Sequence, residues 1–509
     1  MNTRLKTWRG LSVALVGVLL AAGCQTAQPV AEAPTLRTHG VILDGDISEW
    51  PSEVAAFADE HYLYVRFTVE GQQFSLQSAP NSVVVSIDAD ASPSTGRVDA
   101  EGPLAGMGVD AEIEFSPRRP DGSAGRGVAV WTVHADGRRE SVAPGATDVV
   151  VAPTYASSWY ELRISRTPDV PMYPASAGLA GTGLARVAVC LRAPDGRVTA
   201  WADPCEAAIE DVCAGGKRLS SLSPPTAPRN GVRVVSWNVE RSAPASNPEP
   251  FGRILRALSP DVVLIQEWDQ GDEASVRAWL EAAGFPGWTV HKAPGDLGEG
   301  GGVLVASRFP LERVPGPLRM NDGERDSTVR VAAAIVRTPL GDMLASSMHL
   351  KCCGYKDSRE DRQRMAEARA INEFLRGQVR TRTGGDRASE SEGRLVGPRV
   401  IGGDINLVGS RPPLDLLRSG LDVDGTDLDV ADARVLGDRT YTTWRDPGTP
   451  FPPGRLDFLM YSDSACESVS FVFDSARLTD AALEPLGVRR DDSAASDHLP
   501  VVLDLTPVR

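Results

Sequence analysis

The chain has no basic surplus. Its 53 Lys and Arg residues face 68 Asp and Glu, a formal net charge of −15 over 509 residues. A protein that holds nucleic acid without regard to sequence generally presents a basic surface. The balance therefore argues against a DNA-coating role, although a bound metal can supply positive charge locally. No Cys-x-x-Cys spacing occurs among the 7 cysteines, which argues against a thiolate-built metal site. A membrane-length apolar run is also missing. The run at 11–22 falls short of the roughly 20 residues that span a bilayer. What is present is 42 % hydrophobic residues, enough for sizeable cores, with 49 Gly and 38 Pro, which favour turns and loops over helix bundles. This length exceeds one ordinary core, so two or more domains are expected.

Arg4, Lys6 and Arg9 precede the short apolar run, an arrangement that reads as an export signal. The run ends Leu20-Ala21-Ala22-Gly23-Cys24 and resembles a bacterial lipoprotein signal, with Ala21 where Leu is usual. The resemblance implies a signal at 1–23, lipidation at Cys24 and a tether at 24–35. It also implies an exported protein anchored to the cell envelope, at the outer membrane if the host has one. The remaining six cysteines, Cys190, Cys205, Cys213, Cys352, Cys353 and Cys466, could form disulfides in an exported chain. Cys205 with Cys213, or the adjacent Cys352 and Cys353, are candidate pairs; the connectivity stays open.

From residue 36 to 205, short β-rich runs at 62–69, 83–87, 111–115, 128–133, 159–164 and 186–191 alternate with Asp-Gly turns. Such a pattern predicts an all-β sandwich. The stretches Asp44-Gly45 to Glu49-Trp50, Tyr62-Leu63-Tyr64-Val65, Ile87-Asp88-Ala89-Asp90 and Asp110-Ala111-Glu112 resemble family 9-like carbohydrate-binding modules. That resemblance implies a glycan partner and often Ca2+. Asp88, Asp90 and Asp110 have the oxygen chemistry for calcium, and equally read as turn residues. Trp131, Trp159 and Trp201 read either as sugar-stacking platforms or as core. Residues 206–229 are Ser/Pro-rich and read as a linker.

Beyond residue 230, β-rich runs repeatedly end in polar residues. The chain shows Ser236-Trp237-Asn238, Leu264-Ile265-Gln266-Glu267, Met348-His349, Ile401-Gly402-Gly403-Asp404-Ile405-Asn406, Arg455-Leu456-Asp457 and Ser496-Asp497-His498. The glycines before Asp404 are expected to let backbone approach a ligand. Helices are predicted at 251–258, 274–283, 358–378 and 414–419, the third capped by Ser358 with Asp361. A final strand pair is expected at 456–461 and 501–505. The group Asn238, Glu267, His349, Asp404, Asn406, Asp457, Asp497 and His498 is rich in oxygen and carries two imidazoles. It suits Mg2+ or Mn2+ rather than zinc, and acid/base work near neutral pH.

In this order the motifs resemble the endonuclease/exonuclease/phosphatase superfamily over 230–509. The resemblance implies a four-layer α/β/β/α sandwich, so that the whole chain is α/β with an all-β sandwich in front. It implies metal binding by Glu267, Asn238 and Asp497. Asp404 and Asn406 would orient water and bind a phosphate oxygen, Asp457 would polarise His498, and His349 would bond the phosphoryl oxygen, with Glu299 as a candidate partner. Lys351, Lys356, Arg325 and Arg330 are candidate phosphate contacts, or ordinary solvated cations. The expected function is hydrolysis of a phosphoester: nucleic acid, a lipid head group or a small ester. The alternative is a glycan-binding surface lipoprotein with a silent catalytic fold.

Overall fold

A computed structural model describes residues 3–4 and 41–508, except 52–54, 69–73, 80, 119–124, 175–177, 294–300, 317, 322–325 and 384–396. Of the signal only Thr3–Arg4 are described, as a strand beside Val198–Trp201; Cys24, the tether, Glu299 and Arg325 lie outside the described residues. Among the described residues no helix is long and apolar enough to cross a membrane.

The N-terminal half packs two β-sheets face to face, antiparallel except where Thr3–Arg4 pairs parallel with Val198–Trp201 at one edge. The smaller runs Ala56–Ala58, Tyr62–Thr68, Trp159–Ser165, Val150–Ala152. The larger is centred on Ser82–Asp88, flanked by Gly183–Arg192 and Ala111–Phe115. Val83, Val85, Ile87, Ile113, Leu162 and Ile164 fill the space between them and are fully buried. Each such side chain contributes about 1.5–3 kcal/mol. The strand Cys205–Ile209 pairs with Gly183–Arg192, so the sheet extends into the segment read as linker. Cys205 and Cys213 are not bonded to each other, and all six described cysteines are free.

The C-terminal half stacks two six-stranded mixed sheets. One runs Thr289–Lys292, Leu304–Ser307, Val262–Gln266, Val232–Asn238, Val501–Pro507, Ala465–Val472. The other runs Leu311–Arg313, Val331–Thr338, Gly341–His349, Arg399–Asp404, Asp457–Tyr461, Asp429–Val430. Val234, Leu264, Val305, Ala345, Val400 and Leu503 form the seam between them. Helices Pro248–Leu258 and Glu273–Ala282 cover the first sheet. Arg359–Thr383 and Pro412–Arg418 cover the second. This is the four-layer α/β/β/α sandwich. Ser358 caps its helix as expected, accepting from the Asp361 amide at 3.2 Å.

The expected final strand pair is corrected. Asp457–Tyr461 and Val501–Pro507 lie in different sheets, and the partner of the latter is Ala465–Val472. That strand has polar residues on both sides and a half-exposed edge, so it carries no clean alternation.

The two halves are bolted together. The buried Arg163 of the sandwich forks onto Asp438, with Nη2 2.9 Å from Oδ2, and Arg477 reaches back to Asp148. The Asp148 carboxyl resists protonation: burial opposes its charge, but Arg477 and Arg163 outweigh burial. Removing one partner of such a buried pair costs about 3–5 kcal/mol. Backbone contacts add to this, with Leu43 donating to the Arg439 carbonyl at 2.9 Å.

Candidate active site

Strand register assembles the site. Parallel pairing sets His349 opposite Asp404, and antiparallel pairing sets Asp404 opposite Asp457. In the other sheet Asn238 is opposite Gln266, so Glu267 emerges beside it. The segment before Val501–Pro507 delivers Asp497 and His498 to the same edge. All eight residues singled out from sequence therefore meet at one end of the sandwich. Glu267, His349, Asp404, Asn406, Asp497 and His498 line a cleft there, with Asn238 and Asp457 buried behind them.

The glycines before Asp404 act differently from expectation. A Cβ on Gly402 would lie 2.4 Å from the Phe458 carbonyl oxygen, and one on Gly403 would lie 2.0 Å from that of Met348. They permit close packing of neighbouring strands, and Gly403 also makes room for the Gln266 amide. Glu267 and Asn406 have φ of 61° and 49°. Left-handed backbone at non-glycine residues is costly and gathers at sites where geometry is over-determined.

Asp404 is the hub. Its Oδ1 accepts the Asn406 amide at 2.9 Å. Its Oδ2 accepts from Asn406 Nδ2 at 3.0 Å and Asn238 Nδ2 at 3.2 Å. The same oxygen lies 3.4 Å from His349 Nε2 and 3.6 Å from His498 Nε2. Asn238 Nδ2 also reaches Glu267 Oε1 at 3.0 Å, so one amide braces both carboxylates. Burial, with Asp457 and Glu267 nearby, pushes the Asp404 carboxyl up to about 8 against the pull of His498. His498 Nδ1 lies 2.8 Å from Asp457 Oδ2. Burial would lower the imidazole pKa, but Asp457 and Asp404 outweigh it and carry it up to about 10.

His349 has Arg330 Nη1 3.4 Å from Nδ1; the candidate carboxylate partner, Glu299, lies outside the described residues. One predicted ligand sits differently. Asp497 stands apart from the two donor groups here, Glu267–His349–Asp404 and Asp404–Asp457–His498, each with ligand atoms within 4.8 Å of one another. Its Oδ2 instead accepts from Trp444 Nε1 at 2.9 Å. Trp444 was not legible as a site residue, since a lone tryptophan in a loop carries no motif. Lys351 lines the cleft; Lys356 does not, and its backbone amide binds Ser75 Oγ at 3.0 Å.

The implied divalent cation fits this chemistry. Two carboxylates converge with an amide and an imidazole, and burial, with Asp457 and Glu267 nearby, disfavours the charged form of Asp404 unless a cation offsets it. A second donor set, Asp88, Asp90 and Asp110 within 4.8 Å, lies in the sandwich; burial and its two neighbours push Asp110 up to about 7. Such acidic clusters could hold a metal. The tryptophans do not share one sheet: Trp131 and Trp201 lie in the larger, Trp159 in the smaller. The guanidinium of Arg139 stacks on Trp131, 4.3 Å from the ring centroid.

A two-sheet sandwich with carboxylate, amide and imidazole groups at its strand ends defines a phosphoester hydrolase class. Residues 235–498, more than half the chain, match the Endonuclease/Exonuclease/phosphatase family, and the chain belongs to it. Among curated proteins none matches. Solved structures similar to it include the human Nocturnin catalytic domain with bound sulfate, at 18 % identity over 56 % of this chain and 97 % of that one, TM-score 0.35. An AP endonuclease from Archaeoglobus fulgidus is 16 % identical over 53 % and 98 %, TM-score 0.36. A Neisseria 3′ phosphatase bound to product DNA hairpin is 18 % identical over 54 % and 99 %, TM-score 0.36.

Proposed function

We propose that the chain is an exported, Mg2+- or Mn2+-dependent phosphoester hydrolase that activates water with the His498–Asp457 pair. The observation that carries this is the 2.8 Å contact from His498 Nδ1 to Asp457, which fixes the tautomer and leaves Nε2 beside Asp404 at the cleft. Asp404 and Asn406 hold the water and a phosphate oxygen. His498 Nε2 takes the proton as the water oxygen bonds to phosphorus, and the ester oxygen departs with its bonding pair. His349 donates to the phosphoryl oxygen as charge develops there. Glu267, Asn238 and Asp497 would hold the cation, which supplies Lewis-acid stabilisation of the departing oxygen. The acidic surface favours small phosphoesters or lipid head groups over duplex DNA.

The test is p-nitrophenol release from bis-p-nitrophenyl phosphate and p-nitrophenyl phosphate, with plasmid DNA and sphingomyelin alongside. EDTA should abolish turnover and Mg2+ or Mn2+ restore it, and Glu267→Gln should lose the response. Turnover indifferent to EDTA, or none on any of the four, sinks the reading and moves weight to a glycan-binding lipoprotein. Thermal stabilisation by Ca2+ that survives Glu267→Gln would assign a cation to the Asp88–Asp90–Asp110 cluster. The lipid anchor belongs to the same proposal: membrane partitioning should be lost in Cys24→Ser.

A further inference from the structure

The active-site cleft is not built by the catalytic domain alone. It encloses about 520 Å³, in the range of small-molecule sites. Its lining includes Ser75, Gln77, Ser78 and Arg126 of the β-sandwich together with Glu267, Asp404 and His498. This side of the cleft is fixed. Ser75 Oγ donates to the Val408 carbonyl at 3.0 Å. The Gly127 amide donates to the Gln77 carbonyl at 2.9 Å, and the Val128 amide to the Pro450 carbonyl at 2.7 Å. Gly127 has φ +81°, and a Cβ there would fall 2.3 Å from the Pro450 oxygen, so the approach needs glycine. The residue next to Arg126 is thereby pinned to the 444–454 loop, whose Trp444 holds Asp497.

Arg126 itself stands out. The other arginines along the larger sheet, among them Arg97, Arg138, Arg139, Arg186 and Arg192, each pair with a carboxylate. Arg126 is exposed, and among the described residues no carboxylate pairs with it. In a chain with 68 acidic residues, a guanidinium left unpaired at the rim of an anion-processing cleft is placed to meet an anion. Phe451 and Pro452 also line the cleft, and Arg241, Arg330 and Lys351 are its other cations.

We propose that the β-sandwich is one wall of the active site, that Arg126 binds a second anionic group of the substrate, and that the substrate is a small phosphoester carrying such a group. The proposal rests on the hydrolase reading for where the first phosphoryl group sits.

The test is calorimetric titration of the full chain with inorganic pyrophosphate and orthophosphate, Mg2+ present, for wild type, Arg126→Ala, Arg126→Lys and a control, Arg138→Ala. Pyrophosphate affinity should fall about tenfold in Arg126→Ala and recover partly in Arg126→Lys, with orthophosphate affinity nearly constant. Arg138→Ala should match wild type. Unchanged pyrophosphate affinity in Arg126→Ala, at an unchanged melting temperature, overturns the proposal. So does an equal loss for both ligands, because only the second phosphoryl group is assigned to Arg126. Rapid nicking of closed duplex plasmid by wild type overturns the small-substrate part. Failure of the hydrolase reading is separate: wild type would turn over no ester while pyrophosphate binding still depended on Arg126.

Discussion

Replacing His498 with alanine is expected to lower kcat on an activated diester by about 10²–10⁴-fold, with a much smaller change in KM. Its Nδ1 is committed to Asp457 at 2.8 Å, so only Nε2 is available to take a proton. The other imidazole is differently placed: His349 Nε2 lies 3.4 Å from the same Asp404 oxygen, and its Nδ1 lies 3.4 Å from Arg330 Nη1. The substitution also strands Asp457, whose Oδ1 has no hydrogen-bond partner among the described residues. His498→Gln, which keeps a donor toward Asp457, separates the two effects. It should recover melting temperature without recovering rate. A His498→Ala enzyme retaining more than about a tenth of wild-type kcat would remove this residue from the base role.

The same residue sets a pH dependence. With no cation at the site, Asp457 and Asp404 outweigh burial and raise the His498 pKa from 6.5 to about 10. A raised folded pKa means that its contribution to stability is complete below about 6.5 and is lost as pH climbs toward about 10. A cation held by Glu267 and its neighbours adds positive charge close by and lowers that pKa, so the neutral imidazole needed for catalysis becomes available nearer neutrality. The rate should therefore rise with pH to a plateau in Mg2+, and the rise should vanish with the imidazole.

Strand ends made much of this site legible. Asn238, His349 and Asp404 close apolar runs, and Glu267 follows one, so a reader of sequence meets a polar residue where burial stops. Their convergence was legible only through the order of the motifs, because register brings together residues as distant as Asn238 and Asp404. What escaped reading has a common physical cause. Trp444 and Arg126 act through tertiary placement, one from a loop and one from the other half of the chain. Strands Arg139–Val142 and Val198–Trp201 are half-exposed along their length, so neither face selects for apolar residues. Cys205–Ile209 pairs at a sheet margin just where composition shifts toward the linker. The glycines before Asp404 were visible as glycines, but only the packed strands reveal that Met348 and Phe458 are what they admit.

Asp404→Asn should abolish hydrolysis, by at least about 10³-fold, yet raise the melting temperature in EDTA. Asparagine keeps the shape and an acceptor for the Asn406 amide, but it neither adds negative charge beside the cation site nor orients water as a carboxylate does. The stability gain follows from the sign of the shift. Burial, Asp457 and Glu267 push the Asp404 pKa from 3.8 up to about 8. Between those values the folded chain holds a proton that the unfolded chain has released, so stability falls with rising pH, by on the order of 1 kcal/mol per unit for one fully buried group. Asparagine resembles the protonated form at every pH and removes that slope. The variant should match wild type near pH 4 and exceed it increasingly up to about pH 8, with a constant difference above. Mg2+ should reverse the ranking, because binding to the folded wild type stabilises it by mass action and the variant has lost the negative charge that Asp404 sets beside Glu267. Melting curves at several pH values, with EDTA and with Mg2+, decide it. A variant less stable than wild type at pH 8 in EDTA would mean that His498 needs the Asp404 charge more than Asp457 and Glu267 oppose it. The centre would then be balanced without a cation.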